Sequence, residues 1–235
     1  MEDTREDSQN CFPRPVVPDQ FYPIEKMQEY VHLGVVKDYA KGSAVVLPRE
    51  STLRMIYVLS GRLRVNMVTD DGREKLLYTA GPYSLLGRLF STKVNDFHII
   101  ALADSTVCFF TKQQLKEVFR RDEELIFEIL KNYTSKVAYF MQKTKDLESY
   151  TPTIRILRLL DDLCHKQGEL VEDIYEISTV LSQNNIAEIT GAHYVTVSKV
   201  LGCLRKQGIA RKTKNKIYIY DWEGLKKLIA ESIYE

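Results

Sequence analysis

The spacing of hydrophobic positions changes period twice along the chain. From Val35 to Cys108, short apolar runs are punctuated by turn signals: Lys41-Gly42-Ser43, Pro48–Ser51, Ser60-Gly61, Asp70-Asp71-Gly72 and Ala80-Gly81-Pro82. Met55-Ile56-Tyr57-Val58-Leu59 leads through Gly61 into Leu63-Arg64-Val65-Asn66-Met67, both alternating. The Asp71-Gly72 pair returns the chain into Glu74–Tyr78, which predicts a hairpin. Many short, evenly spaced strands predict a β-sandwich or jelly roll.

Between Asp122 and Leu147 the period becomes helical. Ile126, Leu130, Tyr133, Val137, Phe140, Thr144 and Leu147 are spaced alternately four and three apart, a coiled-coil seam. Asp122, Glu123 and Glu124 head this segment and Lys143 and Lys145 lie near its end, as the helix dipole favours. A core helix packed on its own β-domain would need only part of this seam, so its regularity favours a second copy of the chain. Thr151-Pro152 then breaks the helix and opens another domain. Within it Thr153–His165 reads as a helix, Tyr175 and Ile177 mark a strand-like patch, two helices joined by a turn follow, and Ile209–Tyr220 alternates about a basic hairpin. At the other end, an acidic start and Pro13, Pro15 and Pro18 predict a mobile arm, and Pro23 opens a short helical run that stops at Gly34. The expected class is α+β. Residues 1–20 form an arm, 21–120 a β-roll, 121–150 a dimerisation helix and 151–235 a winged helix-turn-helix domain.

Leu181–Leu204 carries the most specific signal. Ser182 can cap a helix whose inner face is Ile186 and Ile189. Ala187 is small enough for a helix crossing, and Gly191 sits where the turn needs a positive φ. A second helix buries Val197, Val200, Leu201 and Leu204, leaving His193, Tyr194, Val195, Ser198 and Lys199 outward to enter a major groove. Lys199 can donate to guanine or phosphate, Val195 can touch a thymine methyl, and Ser182, Thr190 and Thr196 are hydroxyls suited to phosphate. An ordinary helical hairpin with solvated lysines is the alternative.

Charge sharpens this picture. The chain of 235 residues has a net charge of only +1, yet Lys199–Lys216 holds seven cations and no acid, among them Lys206, Lys212 and Lys214 on the expected wing. A neutral chain that segregates charge in this way presents one face to an anion. No run of eighteen apolar residues occurs and MEDTREDSQN is polar, so neither a membrane span nor a signal peptide is expected, and the cytoplasm is the expected compartment. Cys11, Cys108, Cys164 and Cys203 are scattered without a CxxC, and His32, His98, His165 and His193 form no metal-ligand spacing. No metal or cofactor is expected. With no nucleophile–base pair in evidence, an enzyme is not expected either.

Ile186–Gly208 (IAEITGAHYVTVSKVLGCLRKQG), together with the roll glycines Gly42, Gly61, Gly72, Gly81 and Gly87, resembles the cyclic-AMP receptor/FNR superfamily of bacterial transcription regulators. The resemblance extends over nearly the whole chain. It implies a homodimer reading a near-palindromic site on double-stranded DNA, working with RNA polymerase and most often as an activator. Departures narrow the ligand. Gly87-Arg88 replaces the family's Gly-Glu, and Lys93–Phe97 lacks its Arg-Ser/Thr-Ala phosphate motif, so cyclic AMP is not expected. Only Cys11 stands where oxygen sensors need several cysteines. Val195 occupies a position where many members carry Glu, so a contact to cytosine is lost and an A·T-richer half-site is expected.

PDQFYPIEKM at 18–27, DGREKLLYTAG at 71–81, IFEILKNYTSKVAYF at 126–140 and the HYVTVSKVL stretch are most similar to the CprK branch, the halophenol-responsive regulators of organohalide respiration. That likeness implies an aromatic effector held between roll and dimer helix, with Tyr78, Gly87, Arg88, Leu89, Tyr133, Lys136 and Val137 as the lining. Ortho-chlorination makes a phenol acidic, and its anion in an apolar pocket needs a cation or several donors. Lys136 and Arg88 are the candidate cations, Tyr78 and Tyr133 the candidate hydroxyl donors. Another aromatic acid, haem on His98, or a redox signal through a Cys11–Cys203 link between subunits are the alternative inputs.

Overall fold

The structure is a computed structural model that describes residues 15–19, 21–48, 50, 53–87, 97–179 and 181–233. The chain divides into two compact units, residues 1–139 and 140–235.

In the first unit the predicted strands appear as β1 (Val35–Tyr39), β2 (Ala44–Val46), β3 (Met55–Ser60), β4 (Leu63–Val68), β5 (Glu74–Ala80), β6 (Leu85–Gly87), β7 (Phe97–Ala101) and β8 (Ser105–Phe110). They form two antiparallel sheets, ordered β1-β8-β3-β6 and β2-β7-β4-β5. The Asp71-Gly72 hairpin is β4–β5, closed by the Thr69 N–H donating to the Arg73 carbonyl at 2.8 Å. The expected alternation fails in β3, where Met55 through Val58 are all buried. Ile56 and Val58 pack with Leu63, Val65 and Ile99, while Met55 and Tyr57 pack with Ile24, Met27, Leu115 and Leu125. A strand covered on both faces reads as a continuous apolar run.

A 3-10 helix, Glu25–Leu33, occupies the predicted short helical run and stops at Gly34. α1 (Lys112–Arg121), which the sequence reading did not separate from the roll, is started by a reciprocal capping box between Thr111 and Gln114. α2 (Glu124–Ser149) is the long helix. The arm expected over residues 1–20 is packed on the roll where it is described, over residues 15–19. Val16 and Val17 are buried, Thr79 N–H donates to the Pro18 carbonyl at 2.8 Å, and Asp19 pairs with Arg62 at 2.7 Å. Two valines between prolines gain more from burial than a pre-extended segment loses in entropy.

The second unit contains α3 (Pro152–Gln167), β9 (Glu169–Val171), β10 (Ile174–Ser178), α4 (Gln183–Thr190), α5 (Tyr194–Lys206), β11 (Ala210–Lys212), β12 (Lys216–Ile219) and α6 (Trp222–Ile233). Pro152 here begins a helix, with Thr151 as its cap. The sheet runs β11-β12-β10-β9, a wing beside the helix pair. α6, absent from the sequence reading, packs on α3 through buried Leu225 and Ile229 and is fastened by Trp222 Nε1 donating to Asp161 at 2.7 Å.

Candidate functional site

Two sites emerge, one in each unit. The first surrounds Lys136. Its position beside the seam suits a solvated charge, yet the residue is only 6 % exposed. Its ammonium donates to the Leu85 carbonyl at 2.5 Å and lies 5.2 Å from the ring centres of both Tyr78 and Tyr133 and 5.8 Å from that of Phe21. Phe21 meets Tyr78 edge-on at 5.6 Å, so three rings wall the ammonium. Among the described residues no carboxylate pairs with Lys136, and burial alone pulls its pKa from 10.5 down to about 7. Burial also raises the Tyr78 hydroxyl and pushes Tyr133 up to about 12. Both phenols are therefore donors at neutral pH.

Tyr133 points its hydroxyl toward the Gly87 carbonyl at 3.5 Å and Met55 Sδ at 3.7 Å. Gly87, at φ +101°, runs so close to β3 that a Cβ would sit 2.4 Å from the Arg54 carbonyl oxygen. Thus Tyr78, Gly87, Tyr133 and Lys136 come together as expected. Val137 does not join them; it is 54 % exposed on the same helix face as Leu130 and Met141. Arg88 and Leu89 lie outside the described residues. Phe21 was missed, because nothing local in FYPIEK shows that this aromatic folds onto α2. Asn132 Nδ2 to the Tyr22 carbonyl (2.5 Å) and the Tyr22 N–H to Ser135 Oγ (3.1 Å) hold it there. His98, the residue considered for haem, places Nδ1 2.7 Å from a carboxylate oxygen of Glu74.

The second site is α4–α5. Ser182 caps α4 in a reciprocal box with Asn185, and Gly191 closes it at φ +63°. His193 caps α5, its Nδ1 accepting from the Val195 N–H at 3.3 Å. Ile186, Ile189, Val197, Val200, Leu201 and Leu204 are buried, as the pattern requires. Tyr194, Val195, Ser198, Lys199, Cys203 and Lys206 line one shallow concavity of 540 Å³ on the exposed side of α5. His193, Lys206 and Lys214 are exposed, whereas Thr196 and Lys212 are half-buried.

One expectation fails on burial. Thr190 is buried and its hydroxyl donates to the Ile186 carbonyl at 2.7 Å, so it stabilises α4 and has no surface to offer a phosphate. Lys216, counted among the wing's cations, pairs with Glu176 at 2.5 Å. Cys203 is exposed, and Cys11 lies outside the described residues. Among the described residues no group of His, Cys, Asp and Glu could hold a metal ion, and no helix is long and apolar enough to cross a membrane.

A two-sheet roll with a long helix, followed by a winged helix-turn-helix, defines a DNA-binding transcription regulator. Residues 36–122 match the cyclic nucleotide-binding domain family and residues 154–228 the Crp-like helix-turn-helix domain family. The structure of CprK complexed with OCPA is 46 % identical, covers 91 % of this chain and 100 % of that one, and superposes with a TM-score of 0.88. Reduced CprK without ligand is 48 % identical over 88 % of this chain and 100 % of that one, with a TM-score of 0.52. The global nitrogen regulator of Nostoc sp. is 24 % identical, over 79 % of this chain and 85 % of its own length. The chain belongs to the cyclic-AMP receptor/FNR superfamily of transcription regulators, in its CprK branch.

Proposed function

We propose that the chain is a homodimeric, effector-controlled regulator whose DNA binding is switched on by a halogenated phenolate. It acts by binding rather than by catalysis, and it recruits RNA polymerase at a near-palindromic site. One observation carries the effector reading: Lys136 is a buried ammonium with aromatic walls and no carboxylate partner among the described residues. An aryl ring stacks in such a box, and its phenolate oxygen supplies the missing counter-charge. The OCPA complexes of CprK support this choice. Tyr78 and Tyr133 supply hydroxyl donors and Gly87 the close wall. Val137 belongs to the dimer seam instead.

Operator affinity measured with and without saturating 3-chloro-4-hydroxyphenylacetate tests the reading. A gain of about 5–150-fold is expected. Equal affinities overturn the effector.

Dimerisation is supported by the seam. Leu130 and Val137 are each 54 % exposed and Met141 is 69 % exposed, with Ile126, Phe127 and Leu147 also open on α2. Leu130→Glu places a charge in this stripe, and sedimentation should show the wild-type dimer become a monomer. A dimer that persists unchanged would place the interface elsewhere.

Base reading is carried by the exposed N-terminal half of α5, with Ser182, His193, Lys206, Lys212 and Lys214 on the backbone. Restoring an acceptor by Val195→Glu should favour cytosine at one base pair of each half-site by about 1–3 kcal/mol. Sequencing duplexes selected by each protein from a randomised pool checks this.

A further inference from the structure

Arg155, on the first turn of α3, touches none of the groups assigned to effector or DNA. Its guanidinium makes three hydrogen bonds, all to main-chain carbonyls. Nη1 donates to Tyr150 at 2.6 Å, Nε to Thr190 at 2.7 Å and Nη2 to Gly191 at 3.2 Å. Tyr150 directly follows the last turn of α2. Thr190 and Gly191 are the end of α4 and the turn of the helix-turn-helix. One planar side chain therefore joins the end of the dimer helix to the turn that aims the recognition helix.

Two contacts reinforce this joint. Arg158, three residues further along α3, lies 4.5 Å over the Tyr150 ring. Leu147 presses on the turn so closely that a Cβ on Gly191 would sit 2.8 Å from its Cδ2. The joint is rigid because a guanidinium presents its donors in a fixed fork, and orphan carbonyls at helix ends are strong acceptors. A lysine ammonium has no such fork and cannot span three carbonyls of fixed spacing.

The geometry points to Arg155 as the positioning residue that makes the last turn of α2 and the helix-turn-helix turn move as one piece. A shift of α2 on effector binding is thereby delivered to α5. This rests on the effector-controlled reading above.

The test uses the full chain and its Arg155→Met variant. The probes are a duplex selected by the wild-type chain from a randomised pool and 3-chloro-4-hydroxyphenylacetate. Amide hydrogen exchange is followed first, without effector. In the wild type, duplex binding should slow exchange in α4, α5 and the Asp146–Tyr150 stretch of α2. In Arg155→Met the slowing should stop at α4 and α5.

Effector coupling is measured second. The effector-induced gain in duplex affinity should fall from about 5–150-fold to less than about twofold, while the effector's own dissociation constant changes little. A merely structural arginine would lower the thermal midpoint and leave that ratio intact. Where Arg155→Met does not fold, Arg155→Lys keeps the charge without the fork and should lose most of the coupling. Slowed exchange in Asp146–Tyr150 that survives in the variant, or that is missing in the wild type, overturns the proposal. A wild type whose duplex affinity ignores the effector defeats the halophenol reading alone, and the exchange experiment then decides the role of Arg155 by itself.

Discussion

Lys136→Met is expected to abolish the halophenolate response and, at the same time, to make the unliganded protein more stable. The first effect follows from charge. Removing one partner of a buried ion pair leaves the phenolate unpaired among rings and costs about 2–5 kcal/mol. The second follows from desolvation. Lysine is held near pKa 7 by burial, far below its ordinary 10.5. Between these two values the unfolded chain carries a proton that the folded chain lacks. The unfolding free energy from this group therefore rises with pH from about 7 to about 10.5, by up to about 1.4 kcal/mol per unit, and is flat below. Methionine removes that slope. The stability gap between variant and wild type should be widest at pH 6, at about 1–4 kcal/mol, and close toward pH 10.

Thermal unfolding across pH checks the slope, and calorimetry with 3-chloro-4-hydroxyphenylacetate checks the binding. In wild type, affinity should rise as pH passes the phenol's own pKa and fall as Lys136 loses its proton above about 7. A ligand at 100 times its dissociation constant stabilises wild type by about 2.7 kcal/mol and should leave the variant's midpoint unmoved. Wild-type stability that is flat between pH 7 and 10 would show that Lys136 is not the buried amine described above.

Gly191→Val is expected to uncouple the helix-turn-helix and eliminate operator binding. Two independent penalties meet at this residue. Its φ of +63° is a left-handed conformation that costs a β-branched residue roughly 1–2 kcal/mol. Its missing Cβ would collide with Leu147, and overpacking typically costs about 1–3 kcal/mol. The two are separable. Gly191→Asn tolerates the backbone but keeps the collision, whereas adding Leu147→Ala removes the collision but not the backbone strain. Chemical unfolding of the set should show the valine variant least stable and the asparagine variant with Leu147→Ala nearest to wild type. Equal stability of all four would mean the turn can relax in ways the packing around Leu147 does not suggest.

Much of this molecule was legible in one dimension because its signals are local. A capping box at Ser182, a glycine at the turn, and inner apolar positions at Ile186, Ile189, Val197 and Val200 specify a helix pair without reference to the rest of the chain. The Asp71-Gly72 hairpin and the four-three seam are equally local. What was misread depends on distant partners. Thr190 has the residue type of a phosphate contact, yet its hydroxyl is satisfied one helical turn back. The segment Pro15–Asp19 has the proline content of a loose arm, yet β5 and Arg62 capture it.

The sequence by itself determined the fold class, the helix-turn-helix and the exposed apolar stripe of α2, since each rests on periodicity and on turn or cap chemistry within a few residues. Only the tertiary structure decided which cations are spent, which are solvated and which is buried. It pulled the Lys136 ammonium down to a pKa of about 7 by folding Phe21, more than a hundred positions away, and the β5 ring of Tyr78 over α2. Burial and counter-charge are properties of neighbours in space, and no period along the chain encodes them.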